Sequence, residues 1–163
     1  MLPKKIETAM NKQINHELYS SYLYLSMSTY FMGINLEGFA HWMRVQAQEE
    51  LSHGIKFFDH ILERGGAPKL DAVKAPETAW KSPLEVCQAV LKHEQFITKN
   101  INALADLALA EKDHASMTLL QWFVNEQVEE EAHSSLLVER VKMIKDSTGG
   151  LLMLDRQLAK REG

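Results

Sequence analysis

The sequence has one cysteine among its 163 residues, Cys87, so the chain cannot form an internal disulfide bond. It has no run of lysine or arginine, and its formal net charge is -4, which argues against a nucleic-acid-binding surface. No segment approaches the roughly 20 consecutive apolar residues that a membrane span requires. A secretory signal has an apolar stretch after its N-terminal positive charges, and the two N-terminal lysines here are not followed by one. These absences predict a cytoplasmic protein with neither a nucleic-acid nor a membrane partner.

Glycine and proline are also scarce, with 8 and 4 residues, and they concentrate at Gly33, in residues 65–83 and at residues 149–150. The stretches between them are long and rich in helix-forming residues. We therefore predict an all-α protein that forms a single domain over residues 1–163. Its four main helices are expected at about 5–32, 36–64, from 83, and 114–145, with a short fifth helix at about 148–160.

The connection between the second and third helices is unusually long for a compact domain. Its 18 residues, 65–82, can reach about 60 Å at ~3.3 Å each, whereas a 28-residue helix is only about 42 Å long. The connection can therefore return along the whole bundle, so that these two helices run parallel. A four-helix bundle with one long crossover is a topology in which carboxylate metal sites are commonly built.

Steps of three and four residues along each helix select an inward stripe that is apolar at its ends and polar in the middle. The polar positions are Glu17; Gln46, Glu50 and His53; Glu94 and Thr98; and Gln127 and Glu130. None of the stripes contains lysine or arginine. Because ionised buried carboxylates cost several kcal/mol each, two divalent cations would balance the four glutamates. Carboxylate oxygens with one imidazole favour iron or manganese over structural zinc.

The fourth helix could also be aligned with the second in another way, with an offset of 80 residues. EELSH at 49–53 recurs nearly as EEEAH at 129–133, and Trp42 and Trp122 share the same offset. The inward stripe instead turns Glu130 to the interior and leaves His133 on a neighbouring face. Two alternatives to a catalytic site also stay open. The glutamates could form solvated faces with salt bridges, or the metal could serve only the structure of a helical assembly.

Four segments resemble the non-haem ferritins of bacteria and archaea over essentially the whole chain: QINHELYSSYLYLS, GFAHWMRVQAQEELSH, LKHE and LQWFVNEQVEEEAH. The resemblance implies a ferritin-like four-helix bundle whose short fifth helix lies at the fourfold axes of a hollow cage of about 24 chains. From the residues alone, that helix could equally cap its own bundle. The resemblance also implies an iron-storage ferroxidase that oxidises Fe(II) with dioxygen or hydrogen peroxide and deposits ferric oxyhydroxide in the cage.

The ferritin pattern, carried over by position, implies a di-iron centre and a third iron position beside it. One iron would be held by Glu17, Glu50 and His53, and the second by Glu94 and Glu130, with Glu50 bridging and Gln127 close by. The third would be held by Glu49, Glu126 and Glu129 together with Glu130. Tyr24 matches a tyrosine thought to supply an electron, with Trp122 in its neighbourhood, although the residues alone favour a core tyrosine bonded to a carboxylate.

The sequence also departs from related families. Leu51 stands where haem-binding bacterioferritins have a haem-ligating methionine, and those proteins have histidine in place of Glu130, so we expect no haem. One cysteine excludes the four-cysteine iron centre of rubrerythrin-like peroxidases. Met117 and Leu120 replace the acidic residues that line the threefold pores of animal ferritins, which leaves the iron entry route open.

Overall fold

Five α-helices make up the regular structure of the chain. A computed structural model describes residues 1–162, and the helices are α1 (Lys4–Gly33), α2 (Glu37–Glu63), α3 (Pro83–Ala110), α4 (His114–Ile144) and α5 (Thr148–Leu158). No strand occurs in that range. The expected all-α fold is confirmed, and the helices begin and end within about two residues of the bounds predicted for them; for α3 only the start was predicted. None of these helices is long and apolar enough to cross a membrane.

The end of α1 differs from the expectation that Gly33 stops it. Gly33 is the last helical residue, but the left-handed backbone position belongs to Asn35, with φ of 60°. The Leu36 N–H then donates to the Phe31 carbonyl at 3.0 Å. Asparagine tolerates this conformation better than most residues, which is why it can replace glycine here. At the end of α2 a glycine does take that position, Gly65 with φ of 71°.

Side chains at the starts of α3 and α4 form bonds of different kinds. Ser82 caps α3 by accepting from the Glu85 N–H at 3.2 Å. The Glu85 carboxylate in turn accepts from the Lys81 N–H, just before the helix. Asp113 precedes α4 without capping its backbone. Its carboxylate instead accepts from Arg64 at 2.9 Å, which ties the end of α2 to the start of α4.

The long crossover runs beside α1 in the same direction as that helix. Three hydrogen bonds advance together along both segments: Asn11 to the Ala67 carbonyl, Asn15 to Ala72 and Ser26 to Glu77. Trp80 then packs edge-on against Tyr30 near the end of α1, at 5.8 Å between ring centroids. Because α1 and α2 are joined by a tight turn and run antiparallel, α3 starts beside the start of α2. The two helices therefore run parallel, as the length of the crossover predicts.

The interior consists of two hydrophobic clusters with a polar layer between them. One cluster includes Phe31, Phe39, Met43, Cys87 and Val138. The other includes Met10, Phe57, Ile101, Leu120 and Phe123. Between them lie the buried polar side chains from the middle of each stripe, and this layer is the candidate site. Burial raises the pKa of Cys87 to about 12, so this thiol is a neutral filler of the core.

Helix α5 docks on the N-terminal end of α2. The Asp155 carboxylate accepts from the Phe39 N–H at 2.9 Å and so caps α2 from a distant part of the chain. Gly38 permits the approach, because a β-carbon there would lie 1.7 Å from the Asp155 carbonyl oxygen. Leu154 and Leu158 are buried by this contact. The helix therefore caps its own bundle, while Leu152 and Met153 on its other side remain exposed.

Leu120 cannot line a pore as its position in the ferritin pattern suggests. Its side chain is fully buried within the second hydrophobic cluster, and Met117 packs partly buried against the same cluster. The helical period of α4 places Leu120 on the inward face of the bundle, whereas its position in the ferritin pattern suggests the lining of a pore. These two expectations conflict. The burial resolves the conflict in favour of the core.

Candidate metal centre

Each of the four long helices contributes one buried glutamate to the polar layer. Glu17 lies on α1, Glu50 on α2, Glu94 on α3 and Glu130 on α4, and none is more than 4% exposed. His53 and Gln127 are buried beside them. No lysine or arginine is buried among residues 1–162. The polar layer therefore gathers four acidic groups without a buried lysine or arginine among residues 1–162.

The tightest cluster of metal-binding groups joins α1 and α2. Glu17, Glu50 and His53 each offer a ligand atom, and these atoms lie within 4.8 Å of one another. Within residues 1–162, both Glu50 carboxylate oxygens and Oε2 of Glu17 are buried without a hydrogen-bond partner. A buried carboxylate without donors is strongly destabilised unless a proton or a cation occupies it. This cluster therefore has the chemistry of a metal site.

Neutral donors hold the carboxylates of the other two helices. The Tyr24 hydroxyl donates to Oε1 of Glu94, and Nε2 of Gln127 donates to Oε2 of the same carboxylate at 3.2 Å. On α4, Nε2 of Gln46 donates to Oε2 of Glu130 at 2.7 Å. These bonds fix the orientation of the two carboxylates, but neutral groups leave their negative charge uncancelled.

The four carboxyl groups share a raised pKa. Burial raises the pKa of Glu94 and of Glu130 to about 7, although hydrogen bonds from Tyr24 and Gln127 oppose the effect on Glu94. Burial also raises the pKa of Glu17 and of Glu50 well above the ordinary value, and the neighbouring carboxylates add to the effect. Without a metal, the layer therefore retains protons near neutral pH, and a divalent cation would displace them.

The three glutamates expected at a third metal position lie at the edge of this layer. Oε1 of Glu126 lies 4.0 Å from Nε2 of His53 and is partly exposed. Glu49 is also partly exposed, and its carboxylate forms an ion pair with Arg161. Glu129 is exposed to solvent, so the structure does not bring it into the buried layer. The edge beside His53 is thus acidic and partly exposed, and we call Glu49, Glu126 and Glu129 together the acidic opening.

The burial pattern distinguishes the two possible registers of α4. Glu130 is buried, whereas His133 is exposed, in agreement with the inward stripe. Trp42 is buried and Trp122 is 38% exposed, so their equal spacing from the two acidic motifs does not give them equivalent environments. Trp122 still lies near the centre, with its ring 5.5 Å from that of His53. The solvated-face alternative does not fit the burial of these glutamates.

Three further side chains contact the layer without having been expected to hold metal, although the inward stripe already placed Gln46 in the interior. Nε2 of Gln13 donates to Oε1 of Glu17 at 2.7 Å, and Gln46 holds Glu130 as described. Both glutamines lie one helical turn before a glutamate, a spacing that could have indicated them. Arg161 reaches Gln46 and Glu49 from beyond the end of α5. No helical period connects it to the layer, so nothing in the stripes could indicate it.

The bundle and its layer of inward carboxylates define a class of helical proteins that build metal centres between four facing helices. Residues 7–144 match the family model described as a ferritin-like domain. The chain belongs to the ferritin family. Membership of this family supports iron storage in a multi-subunit cage, with ferroxidase activity as a general property of the family.

Individual ferritins match nearly the whole chain. A bacterial non-heme ferritin from Bacteroides fragilis is 45% identical over 161 residues, which cover 99% of this chain and 100% of that protein. One from Campylobacter jejuni is 39% identical over 158 residues, covering 97% and 95%. The crystal structure of an open pore ferritin from Archaeoglobus fulgidus is 49% identical and has a TM-score of 0.98, covering 99% of this chain and 100% of that one.

Proposed function

We propose that this chain oxidises Fe(II) to Fe(III) at a di-iron site and deposits ferric oxyhydroxide inside a cage of about 24 copies. The residues proposed to hold the two ions are Glu17, Glu50, His53, Glu94 and Glu130. The observation that carries the proposal is the group of buried oxygens of Glu17 and Glu50 that have no hydrogen-bond partner within the described chain. In this proposal the chain acts as one domain over residues 1–163 in the cytoplasm.

The charge and the donor set both support iron as the substrate. Two divalent cations balance four carboxylates, and the surrounding tyrosine and glutamine donors carry no charge. Oxygen ligands with a single imidazole suit iron better than a structural zinc site, which uses nitrogen and sulfur in fourfold coordination. We assign the first ion to Glu17, Glu50 and His53, and the second to Glu94 and Glu130. In this assignment Glu50 is the ligand that both ions share.

The reaction needs two electrons, and two ferrous ions supply them. They reduce dioxygen to hydrogen peroxide, or hydrogen peroxide to water, with protons taken up by the oxygen atoms. Glu94 and Glu130 have a pKa of about 7, so they release protons when Fe(II) binds near neutral pH. Tyr24 and Gln127 orient Glu94 during this exchange. The further role of Tyr24 as an electron donor is part of the proposal.

A third, weaker iron position at the acidic opening completes the proposed route towards the cavity. Glu126 lies beside His53, and Glu49 and Glu129 are accessible from solvent. Exposure weakens an ion's interaction with carboxylates because water screens the charge. Ferric ions would therefore leave through Glu49, Glu126, Glu129 and Glu130 rather than remain in the buried layer. We expect no haem, since Leu51 offers no ligand.

The variant Glu50→Ala tests the proposal, with Glu63→Gln as its matched control on the exposed side of α2. Aerobic addition of Fe(II) should give rapid oxygen consumption with the wild type and the control. The Glu50→Ala protein should assemble normally and lose the rapid phase by at least about a hundredfold, because both ions lose a ligand. If metal-free wild-type protein fails to fold or assemble, the structural role of the metal is favoured instead. Unchanged oxidation by Glu50→Ala would contradict the proposed site.

A further inference from the structure

Arg161, beyond the end of α5, places its guanidinium group against the acidic opening of the centre. Its Nη1 donates to Oε1 of Gln46 at 2.7 Å, and its Nη2 donates to Oε2 of Glu49 at 2.5 Å. Its Cζ atom lies 4.6 Å from the centroid of the Trp42 ring. A planar guanidinium with two directed bonds and an aromatic face is held in one orientation. This is a specific contact rather than a loose surface ion pair.

The surrounding chain fixes the position of Arg161. Docking of α5 by Asp155 and Gly38 sets the direction in which the tail leaves the helix. His41 donates from Nε2 to the Arg161 carbonyl oxygen at 2.8 Å. The Arg161 side chain is 19% exposed, compared with 35% for Glu49. The tail therefore delivers a positive charge to the partly exposed edge of the centre at Glu49.

The same contact connects the tail to the buried layer. Gln46 accepts from Arg161 through its carbonyl oxygen and donates through its amide nitrogen to Glu130 at 2.7 Å. Arg161 occupies Oε2 of Glu49, so a metal ion that binds this oxygen must displace the guanidinium group. An ion on the other oxygen would be repelled by the same positive charge. Arginine is always charged in proteins, so this competition exists at every relevant pH.

We propose that Arg161 is a positioning residue that competes with metal for Glu49, so that the C-terminal tail must release Glu49 before a third ion binds at the opening. The proposal rests on the di-iron function proposed above, since it concerns the ion that follows the first two. The tail then controls how readily an ion leaves the buried pair towards the acidic opening. The substrate class is a divalent or ferric cation, not an organic ligand.

Anaerobic titration of the assembled protein with Zn(II) and with Fe(II), followed by calorimetry, measures this competition directly. In Arg161→Gln, the third ion should bind roughly threefold to tenfold more tightly than in the wild type, the range for loss of one charge-assisted ion pair. The first two ions should change in affinity by less than about twofold. The matched control is Lys160→Gln, which removes the same charge from an exposed neighbour and should leave all ions unchanged.

A second readout follows the tail itself by amide hydrogen exchange of residues 155–162. In the wild type, exchange should increase when Zn(II) rises from two to three equivalents per chain, and it should not respond in this way in Glu49→Gln. An unchanged or weaker third ion in Arg161→Gln, or an equal effect of Lys160→Gln, overturns the proposal. Absence of two tightly bound ions in the wild type would instead contradict the di-iron function, so the two failures are distinguishable.

Discussion

Tyr24 donates its hydroxyl hydrogen to Oε1 of Glu94, and both side chains are fully buried at the boundary between the polar layer and the first hydrophobic cluster. The bond lowers the pKa of Glu94, while burial raises it to about 7. Burial and the nearby carboxylates raise the pKa of the Tyr24 hydroxyl well above its ordinary value, so the hydroxyl keeps its proton. Tyr24 therefore stabilises the form of Glu94 that binds metal.

Replacement Tyr24→Phe should move metal binding to higher pH. Without the hydroxyl, Glu94 retains its proton more strongly, and we expect half-saturation with Zn(II) to shift upward by about half a unit to one pH unit. Two ions should still bind per chain at high pH. Binding curves at a series of pH values measure the shift. An unchanged pH midpoint would show that this bond does not control Glu94. If oxidation by the wild type gives a tyrosyl radical signal, its loss in Tyr24→Phe would separately support electron donation.

The stability of the metal-free protein should fall as pH rises from 6.5 to 8. Glu94 and Glu130 titrate at about pH 7 when folded, whereas an unfolded glutamate titrates near 4.5. The folded state therefore binds more protons in this window, and each carboxyl should lose about 1 kcal/mol of stabilisation across it. His93 has a pKa of about 4 when folded, and the pKa values of His16 and His60 are also lowered by burial. Because an unfolded histidine titrates near 6.5, each opposes the decline by no more than about 0.4 kcal/mol above that pH.

Denaturant unfolding of metal-free protein at several pH values tests this slope. The double replacement Glu94→Gln with Glu130→Gln should flatten it, because the amides do not titrate. Addition of Zn(II) should reverse it, since metal binding favours the ionised carboxylates. A stability that increases from pH 6.5 to 8 in the metal-free wild type is incompatible with a layer that holds protons.

Replacement Gly38→Ala should release α5 from α2. A β-carbon at residue 38 would lie 1.7 Å from the Asp155 carbonyl oxygen, which is backbone and cannot move without α5. Alanine normally stabilises a helix by up to about 1 kcal/mol relative to glycine, but this gain cannot offset the collision. Amide hydrogen exchange in residues 148–158 should increase strongly, with little change in α3 and α4.

Gly33→Ala is the matched control, since nothing lies within 4 Å of a β-carbon at that position. It should leave exchange in α5 unchanged and alter the free energy of unfolding by less than about 1 kcal/mol. Equal protection of α5 in both variants would mean that Gly38 is not required for the docking of that helix.

The sequence predicts the helices and the inward carboxylates well for identifiable reasons. Glycine and proline are so scarce that the few present mark the helix ends, and the 3.6-residue period assigns Glu17, Glu50, Glu94 and Glu130 to the interior. The relative placement of segments is less accessible. The exposure of Glu129 follows from the rotation of α4 in the bundle. The burial of Leu120 excludes the pore-lining role that its position in the ferritin pattern suggests.

Contacts made by the tail were beyond prediction from local pattern. The carboxyl group of Asp155 caps a helix more than a hundred residues away, and Arg161 reaches Gln46 across a similar separation. Such contacts depend on the docked position of α5, which no period within one helix encodes. The inward stripes contain no lysine or arginine, and none is buried among residues 1–162, but Arg161 approaches the edge of the centre.

The most direct test is a crystal of the assembled protein loaded with Fe(II) under anaerobic conditions, measured with X-rays above and below the iron absorption edge. The proposed di-iron site predicts two anomalous peaks per chain in the buried layer, one among Glu17, Glu50 and His53 and one between Glu94 and Glu130. Both peaks should be lost in Glu50→Ala. A single peak, peaks only on the surface, or an undiminished pair in Glu50→Ala would contradict it.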